Sequence, residues 1–245
     1  MIQCKRRANT LNLYNQTAAR RRLNVKNSIT LFLLVLTSLF AVPAMAQDAP
    51  KATDTYLIAR TATGKARYNY VEAIWQKGRI ILFDVGYIDF GKTSQYREVL
   101  IGGGGVLIDS KKVVLIGEAY LDQAFGPTSG HATYFVPWAI LIVHPTSKVN
   151  TEITYFPYLP LNKAGSIQHV LEQAKTEYDF GRFKIGAGYA GYQFRKDAWE
   201  SRPFITTTLK AGSFGNLELW LQRLPGNHLV AQVRYSTVFH HTKAP

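Results

Sequence analysis

One stretch of the chain has the residue types and spacing of a phosphate-binding loop. Residues 86–93 fit the pattern G-x-x-x-x-G-K-[ST], in which backbone N–H groups cradle phosphates and the lysine reaches the outer phosphates. Residues 106–109 end in Asp109 and resemble the acidic strand that completes such a site. Residues 87–90 are bulky, however, and continue a strand where a tight loop is needed. We therefore expect a strand end and a turn here, and an architectural role for the glycine run 102–105.

The histidines suggest two further kinds of chemistry. Ser129 and His131 follow Asp122, and a nucleophile, a base and an orienting acid are the parts of a hydrolase. Proximity along the chain does not supply the geometry, and a polar loop explains these residues equally well. His240 and His241 are adjacent imidazoles near the chain end, which do not make a closed metal site. We expect no cofactor and no metal, and we favour a protein without catalysis.

The first 46 residues have the features of an export signal. Seven basic and no acidic residues lead into the apolar run 29–42, and the small-x-small sequence of residues 44–46 follows. Basic, apolar and small residues in that order are typical of a cleaved secretory signal, so we expect cleavage after Ala46. The run is shorter than the ~20 apolar residues of a spanning helix. Residues 47–54 are then a polar leader.

Removing the signal changes what the charge implies. The whole chain has 29 basic and 16 acidic residues, a formal net charge of +13, and the signal takes seven of the bases with it. The remaining +6 gives little support for binding nucleic acid, which we do not expect. Cys4 is the only cysteine and leaves with the signal, so the mature chain has no disulfide to stabilise it.

The remainder of the chain is dense in the β-branched and aromatic residues that strands favour. Residues 166–179 alone contain good helix formers, and Pro137 fits a regular ladder poorly. The twelve predicted strands are 55–62, 67–76, 79–90, 95–108, 111–123, 132–144, 149–158, 166–179, 182–193, 202–211, 215–223 and 228–239.

Apolar and polar residues alternate in many of these strands, which places one apolar and one polar face on the sheet. The connections alternate too. Short turns, such as 76–79 and 179–181, are followed by longer loops, such as 122–131 and 157–166. Short turns at one end and longer loops at the other are typical of barrels in outer membranes. We therefore predict an all-β, antiparallel, up-and-down transmembrane β-barrel of about twelve strands over residues 55–239, with a tail over 240–245.

The chain resembles the bacterial outer-membrane β-barrel class, most specifically in its last strand, which ends in Tyr235-Ser-Thr-Val-Phe239. In that class, such a terminal strand resembles the signal read by the barrel-assembly machinery. The resemblance implies two partners, that machinery and outer-membrane lipids. Residues 240–245 follow the last aromatic and depart from the class pattern.

The barrel prediction assigns a face to each of twelve side chains. One set is expected to line the lumen: Lys112, Glu118, Lys184, Glu218, Gln222, Gln232 and Arg234. The other set is expected to face lipid on the closing strand: Ala231, Val233, Tyr235, Thr237 and Phe239. Both signs of charge line the lumen, so strong ion selectivity is not indicated.

The function we predict is a structural or passive-pore role in the outer membrane. Two alternatives remain open at this point. One is an outer-membrane lipid hydrolase or deacylase, with His131 or His169 as the base. The other is a soluble periplasmic β-barrel that binds an apolar ligand inside. Alternation alone does not separate the second alternative, because it does not say which face is inside.

Overall fold

The computed structural model describes residues 53–64, 67–91, 96–126 and 130–241. The predicted signal and its cleavage site, the phosphate-loop residues Lys92 and Thr93, and Ser129 lie outside these ranges. The strands are β1 (Thr53–Ala62), β2 (Tyr68–Lys77), β3 (Ile80–Asp89), β4 (Arg97–Asp109), β5 (Val113–Gly126), β6 (Gly130–Thr146), β7 (Val149–Pro160), β8 (Gln168–Asp179), β9 (Phe183–Phe194), β10 (Glu200–Lys210), β11 (Asn216–Leu224) and β12 (His228–His241).

The twelve strands form one closed antiparallel barrel in which each strand pairs with its neighbours in the sequence. β1 and β12 close it through ten residue pairs, from Thr53↔His241 to Ala62↔Gln232. The predicted fold class, strand number and closing pair are confirmed. No helix in the described part of the chain is long and apolar enough to cross a membrane.

The connections at the two ends differ less than the sequence indicates. Those at the end that holds Thr53 are two to five residues long, and those at the opposite end three to seven. The predicted loop 122–131 is mostly strand, because the β5–β6 ladder continues out to Gly126↔Gly130. We call the end of the barrel that holds Thr53 the short-turn end, and the opposite end the loop end.

Residues 168–179 form the strand β8 although they include good helix formers. Gln173, Lys175 and Glu177 are spaced by two, so a strand places all three on one face. All three are buried. Tertiary contacts on that face therefore override the helix propensity of the segment.

The glycine run of β4 brings two neighbouring strands close to it. A Cβ at Gly102 or Gly104 would lie well inside van der Waals contact with the carbonyl oxygens of Ala119 and Gly117, respectively. The Tyr120 ring packs over Gly102. These glycines are architectural, as predicted. Residues 86–89 are strand, and the Gly91 N–H donates to Asp89 Oδ1 at 2.8 Å.

Candidate functional site

The inward-facing residues of the barrel are the candidate site, because they combine burial with charge. Among the described residues, sixteen polar or charged side chains are buried, against fourteen apolar ones. The buried ionisable groups comprise seven carboxyl groups and two cations, a formal excess of five carboxyls. They are Glu72, Asp84, Glu98, Glu118, Asp122, Glu177 and Glu218, with Arg60 and Lys175.

Two cavities lie along the barrel interior. The upper cavity, towards the loop end, has a volume of about 650 Å³ and is rich in aromatic side chains such as Tyr134 and Tyr158. The lower cavity, towards the short-turn end, has a volume of about 290 Å³ and includes Gln76 in its lining. Arg60 and Glu172 are among the few residues that line both cavities. These two side chains therefore mark the boundary between them.

Arg60 and Glu172 form an ion pair across the lumen. Arg60 faces inward from β1, and its Nη1 contacts Glu172 Oε1 on β8, five strand steps away around the ring. The guanidinium also lies 6.0 Å from the Tyr70 ring centroid and 5.6 Å from that of Trp220. This ion pair, with aromatic rings near it, lies across the lumen between the two cavities. It therefore narrows the passage along the barrel axis.

A bulge in β8 makes this pair possible. The β7–β8 register steps from Thr154↔Gln173 to Tyr155↔Leu171, which leaves Glu172 as the extra residue. A bulge re-aims a side chain that regular alternation would place on the other face. Gln173 is buried and Glu172 is only 16% exposed in its side chain. The side chains of two consecutive residues, Glu172 and Gln173, therefore both face the interior.

One lysine holds a second charged cluster together. Lys175 Nζ lies 2.6 Å from Glu218 Oε1, 3.4 Å from Glu177 Oε2 and 3.9 Å from Glu152 Oε2. Thr206 donates to Glu218 at 3.0 Å. Three carboxylates around one buried cation form a network that rigidifies the wall of β7, β8 and β11.

A second group of buried carboxyls lines the opposite wall. Tyr120 Oη lies 2.8 Å from Asp84 Oδ2 and 2.7 Å from Glu118 Oε2. A phenol has one hydrogen, which the two carboxyl oxygens share as acceptors. Both oxygens of Asp122 are buried without a protein partner among the described residues. No group of three or more His, Cys, Asp or Glu residues in the described ranges could hold a metal ion.

The seven side chains predicted to line the lumen lie at different depths. Glu118, Glu218, Gln222 and Gln232 are buried, and Gln232 donates to Gln222 at 2.8 Å. Arg234 is half-buried and pairs in register with Glu218 on β11. The two predicted lysines are less buried. Lys184 is half-buried near the short-turn end, and Lys112 is exposed in the β4–β5 turn.

The closing strand carries the five residues predicted to face lipid. Val233, Tyr235 and Phe239 are 36%, 40% and 48% exposed, and Ala231 is half-buried. Thr237 is only 7% exposed. The turn before β11 covers it, since Gly215 lies beside the Thr237 side chain.

Sequence reasoning missed several interior residues, above all Arg60, Glu172 and Lys175. Arg60 stands in a strand with weak alternation between Ala59 and Thr61, so its charge was the only available signal. Lys175 lies in the segment with helix formers. Glu172 faces the lumen only because of the bulge, which alternation does not reveal.

The hydrolase candidates do not come together. His131 is exposed and packs against Phe125 with ring centroids 5.8 Å apart, whereas Asp122 is fully buried on the inner face. His169 Nδ1 lies 2.7 Å from Tyr155 Oη, a tyrosine that is 38% exposed. A base and its orienting acid must be within hydrogen-bond reach, and the barrel wall separates His131 from Asp122.

The terminal histidines have partners on β1. His240 Nδ1 lies 2.9 Å from Asp54 Oδ1, and His241 Nε2 lies 2.9 Å from Thr55 Oγ1. Each imidazole therefore helps to join the two closing strands. They lie within β12, which extends to His241.

Comparison with solved structures shows the fold of outer-membrane porins. The chain is similar to the KdgM porin in complex with disordered oligogalacturonate, with a TM-score of 0.54, 9% sequence identity, and coverage of 77% of this chain and 99% of that one. It is also similar to the NanC porin, with a TM-score of 0.50, 11% identity, and coverage of 77% and 100%. By sequence, no family model and no curated protein matches the chain.

Proposed function

We propose that this chain is an outer-membrane β-barrel that acts as a narrow passive pore and favours cations and neutral solutes over anions. The observation that carries the proposal is the polarity of the two faces. Large apolar side chains such as Val71, Leu121 and Ile205 are 55–59% exposed on the outer surface. In the described residues, nine charged side chains are buried inside the barrel. A barrel in water would place these faces the other way round, because extended apolar surfaces are not left in solvent.

Aromatic residues on the outer surface support a membrane location. Near the short-turn end, Tyr178 and Phe180 have ring centroids 4.8 Å apart, and Phe180 stacks on Phe183 at 5.1 Å. Trp75 and Phe83 pair at 5.7 Å on neighbouring strands. Girdles of aromatics at the membrane interface are typical of such barrels, since the tips of Tyr and Trp are polar and their bodies apolar.

The charge of the interior supports a preference among solutes. An excess of buried carboxyl groups attracts cations and repels anions, as acidic rings do in cation channels. The KdgM porin structure contains oligogalacturonate, a chain of sugars that each carry a carboxylate. The carboxyl-rich lumen of this barrel is unsuited to such a polyanion. The two proteins share a fold, but the solutes we propose for this barrel are cationic or uncharged, unlike oligogalacturonate.

The first experiment measures conductance in planar bilayers under a KCl gradient. We expect small channels whose reversal potential has the sign of cation preference. Arg60→Ala should raise the conductance about twofold or more and strengthen the cation preference, because it opens the constriction and frees Glu172. Arg223→Ala is the matched control, since Arg223 bonds to Asn227 in an exposed loop.

Anion preference, or an Arg60→Ala variant that conducts like the parent, would contradict the pore proposal. Absence of channel events over a wide voltage range would leave only a structural role. Oligogalacturonate added to the bilayer should not block the current. A block of the parent channel by oligogalacturonate would contradict the charge argument.

The location is tested separately, by membrane fractionation and heat-modifiable gel mobility. A folded barrel should remain with the outer membrane and migrate differently before and after boiling. Partition into the aqueous fraction without detergent would instead favour the soluble ligand-binding barrel. The mass of the mature chain tests the proposed cleavage after Ala46. Depletion of the barrel-assembly machinery, which should abolish insertion, tests that proposed partner.

A further inference from the structure

The pairing between β6 and β7 is interrupted at one place in the barrel wall. The register includes Phe135↔Leu159 and resumes at Ala139↔Tyr155 without a shift. Three residues on each strand lie between these pairs, and the middle ones are Pro137 and Pro157. The two prolines therefore lie opposite each other in register, and we call this interrupted stretch the β6–β7 seam.

The position of the prolines explains the interruption. In an antiparallel ladder, alternate residue pairs exchange two N–H···O=C bonds, and Phe135↔Leu159, Pro137↔Pro157 and Ala139↔Tyr155 are every second pair. Proline has no N–H, so neither Pro137 nor Pro157 can donate to the other. Both cross-strand bonds at this pair are absent. About 14 Å of strand then lies between the two flanking bonded pairs, at ~3.4 Å per residue.

On their other edges, these two strands remain paired at the level of the prolines. Pro137 pairs in register with Ala119 on β5, and Pro157 pairs with His169 on β8. β6 and β7 are thus each held firmly on one side, and the side between them is the weak one. Strands that lack two neighbouring bonds separate more easily than strands with a full ladder.

Aromatic side chains stand directly behind the seam. Trp138 and Phe156 stack with ring centroids 3.7 Å apart, and Phe156 contacts Tyr158 edge to face at 5.8 Å. All three line the upper cavity. Residues 135–139 and 155–159 contain no charged side chain. The path from the outer surface to the upper cavity is therefore apolar at this point.

We propose that the β6–β7 seam is a lateral portal through which apolar molecules dissolved in the bilayer reach the upper cavity. This rests on the membrane location proposed above. The aromatic faces of Trp138 and Phe156 receive a ring or an alkyl chain, which suits uncharged apolar molecules. The portal adds a second route to the interior, besides the proposed pore along the barrel axis.

The test uses an apolar aryl diazirine dissolved in the bilayer of vesicles that hold the full-length barrel. Photolysis labels residues that the reagent reaches, and mass spectrometry assigns them. Leu121 and Ile205, exposed on the outer face, should be labelled in every variant. In the parent, Trp138 and Phe156 should also be labelled.

Two variants close the seam. Pro137→Val with Pro157→Val restores both N–H donors and should lower labelling of Trp138 at least fivefold. Pro137→Cys with Pro157→Cys adds a disulfide under oxidation, since a bonded antiparallel pair has its Cα atoms about 5.5 Å apart. This should abolish labelling of Trp138. The control is Pro203→Val, because Pro203 on β10 pairs normally with Tyr189 on β9.

The outcomes separate the two proposals. If Trp138 is not labelled in the parent, or is labelled equally in both closed variants, the portal proposal fails. The conductance result is unaffected by either outcome. A loss of Trp138 labelling in the Pro203→Val control overturns the portal proposal too, because the effect would not be specific to the seam. If Leu121 and Ile205 are not labelled either, the barrel is not in the bilayer, and the membrane proposal fails together with the portal.

Discussion

Replacing Lys175 with methionine removes the cation that lies within 4 Å of three carboxylates inside the barrel. Met keeps the length and most of the volume of the side chain, so the change is chiefly one of charge. Lys175 is 4% exposed and lies 2.6–3.9 Å from Glu218, Glu177 and Glu152. With an effective dielectric constant of about 20, each contact corresponds to roughly 4–6 kcal/mol of attraction before desolvation is subtracted.

The net effect is smaller, because burying the lysine also costs free energy. Removing one partner of a buried ion pair typically costs about 3–5 kcal/mol, since it leaves uncompensated charge in the interior. We expect Lys175→Met to lower the free energy of unfolding by about that amount. Glu218→Gln added to this variant should recover part of the loss, because one of the stranded carboxylates becomes neutral.

The measurement is urea unfolding of the barrel in lipid vesicles, followed by tryptophan fluorescence and by heat-modifiable mobility. Lys163→Met is the control, as Lys163 is an exposed loop residue and its change should be within about 0.5 kcal/mol. A loss below about 1 kcal/mol for Lys175→Met would refute the reasoning. A further loss on adding Glu218→Gln would refute it as well, since it would show that the carboxylate is stabilising without the lysine.

Two further predictions concern the wall of the barrel. Val233→Arg, on the outer face near the middle of β12, should cost about 2–4 kcal/mol in vesicle unfolding, whereas Leu229→Arg near the strand end should cost about 0–1 kcal/mol; equal costs would contradict the proposed depth. Gly104→Ala should reduce the folded, heat-modifiable fraction strongly, because the new Cβ meets the Gly117 carbonyl oxygen. Gly86→Ala is its control, with a side chain, that of Tyr70, as the nearest neighbour at 3.2 Å; similar losses would show that backbone crowding is not the cause.

The sequence predicts the architecture well because strand alternation is a local property. The spacing of Leu217, Leu219 and Leu221 assigns one face of β11 without any knowledge of its neighbours. Turn residues then mark the ends of the strands. The loop 122–131 was predicted too long, because glycine and proline there suggest an irregular segment although pairing continues to Gly126↔Gly130.

The interior is harder to predict, because its contacts join distant parts of the chain. Arg60 and Glu172 meet only when the barrel closes, and the bulge that presents Glu172 has no clear pattern in the sequence. The interruption at the β6–β7 seam is hard to predict for the same reason. Pro137 looks unusual on its own, but its significance depends on Pro157 standing opposite, which is a matter of register.

The closing pair of strands has a consequence for how the chain acquires its structure. β1 and β12 are joined by ten residue pairs, yet about 180 residues separate them along the chain, as in Thr53↔His241 and Ala62↔Gln232. Contacts between residues so far apart form slowly, because the chain between them must be brought together first. Until β12 arrives, β1 is an unpaired edge that can recruit strands from other chains. Pairing of β12 with β1 therefore removes the exposed edge through which the protein could aggregate.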